Sequence, residues 1–111
     1  KDMLPKKYRL QAKDFQYLYK NGKRARGKYG MLISSPNNKK VPLFGFVVSK
    51  KIGDAVRRHR MTRLLRVISM EAVKEFKLEG NGVSFEYIAF EFCDDFNLLK
   101  DEFFKQIEKI L

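Results

Sequence analysis

A chain of 111 residues with 44% hydrophobic content is long enough to bury roughly 60 to 70% of its unfolded surface without staples, and too short for a second core. No apolar run approaches the ~18–20 residues that span a bilayer, no signal-peptide pattern is present, and the single cysteine, Cys93, excludes an internal disulfide. These bounds predict one domain over residues 1–111 in a reducing, cytoplasmic setting with no membrane partner, and a net charge of +11 points to a polyanion.

In chain order, "LQAKDFQYLYKNG" reads as a short helix, with Leu10, Phe15, Leu18 and Tyr19 near helical spacing and Asn21-Gly22 as its stop. "GKRARGK" reads as a basic, glycine-bounded connection. "YGMLIS" and "VPLFGFVVS" read as strands joined by the turn-forming "SPNNKK", a hairpin with a long loop. Next, Gly53 breaks the chain and Asp54 is a good N-cap for a helix running to about Phe76. Its apolar stripe, Met61, Leu64, Leu65, Ile68 and Ala72, faces a core. "LEGNG" is then a turn and "VSFEYIAFEF" a mostly apolar strand. Asn97 is the expected cap of a last helix, whose inner face carries Leu99, Phe103, Ile107 and Ile110. Strand, helix and strand in succession imply a parallel pair joined by a crossover, right-handed by the general rule. The expected class is α+β, a two-layer sandwich of helices on one sheet.

The charge is segregated. Residues 1–66 hold 19 Lys and Arg against 3 Asp and Glu, a balance of +16, whereas residues 67–111 hold 5 against 10, a balance of −5. Within the arginine helix, Arg57, Arg58, His59, Arg60, Arg63 and Arg66 crowd ten positions, and the first acid after Asp54 is Glu71. Like charges at i,i+4 spacing cost a few tenths of a kcal/mol per pair, and cations at a helix start oppose its dipole at about 0.3–1 kcal/mol each. A face that was merely solvated would mix Glu with Lys to gain i,i+4 pairs. A polyanion turns the repulsion into attraction, because guanidinium forks and free amides at a helix start both suit phosphate oxygens.

The residues that carry a resemblance are "RLQAKDFQYLYKNG" near the start and "VSKKIGDAVRRHRMTRLLR" after the second strand. They resemble the protein subunit of bacterial ribonuclease P, whose signature is a basic helix after Ser-Lys-Lys-x-Gly-Asn-Ala-Val, with an Arg-Asn-Arg core, then Lys-Arg and a further Arg. The match covers residues 8 to 66 and continues loosely to the C-terminus. The resemblance implies a four-stranded mixed sheet in the order αβββαβα with a left-handed βαβ crossover, against the general rule. It implies a cofactor to a catalytic RNA that removes the 5′ leader from precursor tRNA, with the chemistry carried by that ribonuclease P RNA and its bound Mg²⁺. By position, Lys50, Lys51, Arg57, Arg58, His59, Arg60, Arg63 and Arg66 would face the RNA subunit. Phe15 and Tyr19 match the aromatics of the cleft that holds the single-stranded leader, and Lys28 with Tyr29 are further candidates. The chain departs from the signature where His59 replaces the central Asn, Thr62 the following Lys and Asp54 the Asn cap. Ile33 stands where an aromatic is common, and Phe90 where a basic residue often follows the last strand.

Nothing in the sequence reads as an autonomous nuclease. His59 is the only histidine, and no glycine-rich phosphate loop, zinc spacing or nucleophile elbow occurs. Glu91, Asp94 and Asp95 could be taken for a metal site, but turn solvation and helix capping explain them, so no catalytic or metal-binding residue is expected on the protein. The competing reading is a ribosomal or other structural RNA-binding protein without a processing role; DNA is not an expected partner.

Overall fold

The computed structural model describes residues 4–111. A 3₁₀ turn, Lys6–Tyr8, leads into helix α1 (Ala12–Asn21), then strands β1 (Lys23–Arg26), β2 (Gly30–Pro36) and β3 (Leu43–Val47). A second 3₁₀ turn, Lys50–Ile52, precedes helix α2 (Ala55–Glu75), followed by β4 (Val83–Ala89) and α3 (Phe96–Ile110). The fold is α+β with a four-stranded mixed sheet, in the order expected. The strands lie β1-β2-β4-β3, antiparallel except for β3 and β4, which run parallel and are joined through α2.

Three local expectations are corrected. First, β2 and β3 form no hairpin, because β4 lies between them. The reason is burial: Val83, Phe85, Tyr87 and Ala89 give β4 an apolar face, and a central place bonds the strand along both edges. Second, Lys23–Arg26 is an edge strand rather than a connection. It alternates, with Ala25 buried while Arg24 and Arg26 remain exposed. Third, α3 is capped by Asp95, which accepts from the Leu98 backbone N–H at 3.1 Å, and Asn97 falls inside the first turn.

The sheet has two unlike faces. Alternation along the strands sends Leu32, Phe44, Phe85, Tyr87 and Ala89 to one side, where α2 and α3 deliver Met61, Leu65, Ile68, Ala72, Leu99, Phe103 and Ile107. Phe44 and Phe85 stack with centroids 5.1 Å apart, and Tyr87 meets Phe103 at 5.7 Å. The Gln106 amide donates to the carbonyls of Ala25 and Gly30, each at 2.9 Å, fastening α3 to the β1–β2 edge. Cys93 is buried in the same core. On the other side α1 lies alone, and a smaller cluster of Leu10, Leu18, Met31, Ile33 and Leu43 packs with the half-buried Phe15, Ile88 and Phe90. Among the described residues, no helix is long and apolar enough to cross a membrane.

Candidate nucleic-acid interface

The α2 ridge starts where the sequence places it. Asp54 accepts from the Arg57 backbone N–H at 2.9 Å, and the Arg58 Nε donates to the Gly53 carbonyl at 3.1 Å, which closes the helix start. Met61, Leu65, Ile68 and Ala72 are fully buried, which fixes the rotation of the helix and turns Arg57, His59, Arg60 and Arg63 to the surface. Arg57 pairs with Asp54 at 3.7 Å and Arg60 with Asp94 at 3.3 Å, but the four side chains are 44–63% exposed. Pairs of this kind contribute about 0–1 kcal/mol and exchange readily for another anion. Lys50 and Lys51, in the 3₁₀ turn just ahead, are exposed beside the same helix end.

Arg66 takes a different place from its neighbours. With Thr62 it lines a groove of about 180 Å³ whose other walls include Phe15, Gly45, Phe46 and Arg9. The structure therefore joins the C-terminal part of the ridge to the first of the cleft aromatics. The Phe15 ring rests on bare backbone: a Cβ built on Gly45 would lie 2.3 Å from its Cζ, so only glycine admits the ring there. One helical turn on, Tyr19 is 51% exposed, and the Arg24 guanidinium lies over its ring at 4.6 Å while donating to the Tyr19 carbonyl. Ile33 is fully buried beneath this region. Lys28 and Tyr29 are not in the α1 cleft. They form the β1–β2 turn and share a separate groove with α3.

Sequence reasoning missed Arg24, Arg26 and Phe90 as a set. The Arg26 guanidinium stacks over Phe90 at 4.8 Å, so the cation and the aromatic beside the cleft come from β1 and the end of β4. The alternating Arg24-Ala25-Arg26 was the available signal, hidden by the flanking glycines. Glu86 was missed as well. It lies on β4 facing the α1 side, opposite Ile33 and Gly45, and is 3% exposed with Oε1 lacking a partner. Burial pushes its carboxyl up to about 7, against a smaller opposing pull from Arg24. Among the described residues no three His, Cys, Asp or Glu side chains gather as a metal-binding group; Asp95 caps α3 and Asp94 reaches Arg60.

Fold and surface together define a small basic α+β protein with a cationic helix ridge beside a groove that Phe15 and Phe46 line. The family model of ribonuclease P matches residues 4–109, and the chain belongs to that family. The ribonuclease P protein component of Acidothermus cellulolyticus is 41% identical over 69 residues, covering 60% of this chain and 58% of its own length. That of Caldanaerobacter subterraneus is 32% identical over 96 residues, 86% of this chain and 82% of the relative. Among solved structures, the RNase P protein from Thermotoga maritima shares the fold with a TM-score of 0.77, over 93% of this chain and 97% of that one, at 23% identity. Against several curated relatives the matched stretch spans only about half of their length, 45% to 58%.

Proposed function

We propose that this chain is the protein subunit of a ribonuclease P ribonucleoprotein, an endoribonuclease that removes the 5′ leader of precursor tRNA. In this reading Lys50, Lys51, Arg57, Arg58, His59, Arg60 and Arg63 bind the RNA subunit. Phe15 and Tyr19 hold the single-stranded leader, with Arg66 between the two surfaces, and Lys28 and Tyr29 serve the leader from the neighbouring groove. The RNA subunit, with bound Mg²⁺, carries the bond cleavage, and the assembly works in the cytoplasm. One observation supports this most: Arg57 and Arg60 stand exposed on α2, in surface pairs too weak to account for so much like charge at one helix end. Phosphate contacts would supply most of the affinity and make it fall with salt. Stacking on aromatic faces, about 1–3 kcal/mol per base, would hold leaders of any sequence.

Reconstitution tests the reading. The protein alone should leave precursor tRNA intact, and adding it to a bacterial ribonuclease P RNA at low Mg²⁺ should raise the rate of leader removal. RNA binding without any gain in cleavage would favour the structural RNA-binding alternative, and cleavage by the protein alone would favour a nuclease.

A further inference from the structure

Arg26 stands at the β1 edge between two surfaces. On the α1 side its guanidinium covers Phe90 at 4.8 Å, and it also lines a groove of about 530 Å³ between the β1–β2 turn and α3. Helical spacing puts Leu98, Glu102, Lys105 and Lys109 along the wall of this groove, at i, i+4, i+7 and i+11. Of the two acids there, Glu102 is engaged by the backbone. The Glu102 carboxylate accepts the backbone N–H groups of Lys28 and Tyr29, each at 2.9 Å, and so pins the turn. Asp101 also lines the groove and is exposed, so it offsets one of the four cations, Arg26, Lys28, Lys105 and Lys109, that line it too. Lys105 and Lys109 are exposed, carry like charge at i,i+4, and lie about 6 Å apart along the helix. Lys28 Nζ lies 5.4 Å from the centroid of the half-buried Tyr29 ring. A row of cations beside an aromatic face suits a strand of successive phosphates and bases better than one small anion.

We propose that this groove is a second station for the RNA strand that the α1 cleft holds. Leader nucleotides beyond the cleft cross the β1 edge at Arg26 and run along α3, with phosphates at Lys28, Lys105 and Lys109 and a base against Tyr29. The proposal rests on the leader-binding reading of the cleft and extends it from the residues at the cleft to the length of leader the protein can use.

The test compares holoenzyme, assembled from the protein and a bacterial ribonuclease P RNA, on precursor tRNAs with leaders of about 4 and about 16 nucleotides. Wild type should bind the longer leader more tightly. Lys105→Ala/Lys109→Ala should lower the long-to-short affinity ratio about fivefold and flatten the salt dependence for the long leader. Because both side chains are exposed, this variant keeps its core, which circular dichroism checks directly. An unchanged ratio, or equal losses for both leaders, overturns the α3 track. Phe15→Ala separates the two claims. If it weakens both leaders while the lysine variant leaves the ratio unchanged, only the track fails; if it weakens neither, the cleft reading falls and the track with it.

Discussion

The two faces of the sheet are built from similar residues to different ends. Toward α2 and α3, Leu32, Phe44, Phe85, Tyr87 and Ala89 are each at most 2% exposed, and two helices complete the cover. Toward α1, a single ten-residue helix crosses the strands, and Ile88, Phe90 and Phe15 stay half-buried with arginines at their edge. A face closed by two helices stabilises the fold. A face closed by one leaves apolar and aromatic surface beside positive charge, which is what a single-stranded polyanion needs.

Truncating one ring on each face should separate the two roles. Phe85→Ala, in the closed face, should cost about 3–5 kcal/mol by urea denaturation, whereas Phe15→Ala should cost roughly 1–2 kcal/mol and act mainly on binding. Its affinity loss should be larger for precursor than for mature tRNA; equal losses would make Phe15 a packing residue and erase the contrast.

Glu86 sharpens the comparison, since it is a carboxyl buried under the open face. Its pKa in the folded protein is above the ordinary 4.5, so the protonated form is favoured by folding. The resulting stability is complete below pH 4.5 and drains away as pH rises through about 7. Glu86→Gln should therefore be more stable than wild type at pH 8, by up to about 3 kcal/mol, with the gain vanishing near pH 4 in thermal or urea melts. A gain that ignores pH would mean that burial of the charge is not the cause.

A smaller effect is expected at Asp94, which holds Arg60 at 3.3 Å. Asp94→Ala frees that guanidinium and should tighten RNA-subunit binding about two- to threefold at low salt, with little change in stability. Weaker binding would show that the pair orients Arg60 for its partner.

How much of this was legible depended on whether the signal was local. The start of α2 was readable because Asp54, the apolar stripe and the arginine cluster lie within one stretch, and the cap and the buried face follow from them. Strand pairing was not readable in the same way. β2 and β3 are neighbours in sequence, and only the later arrival of β4 between them rules out the hairpin. Lys23–Arg26 hid its strand character because just one side chain, Ala25, turns inward. The cap of α3 was misplaced by two residues because Asp95 and Asn97 are both good caps. Of the candidate site, helical spacing placed Phe15 and Tyr19 on α1, and their place in a leader cleft came only from the resemblance to the ribonuclease P protein family. The α3 groove was not legible, because it joins the β1–β2 turn to residues more than 70 positions away.

The most direct test of the ridge is the salt dependence of binding to a ribonuclease P RNA, with wild type set against Arg60→Ala/Arg63→Ala. With the ridge on phosphates, the plot of log affinity against log salt should be shallower for the variant by about two in slope, and the lines should converge at high salt. Parallel lines would contradict the account, because the RNA would then be held by some other surface of the protein.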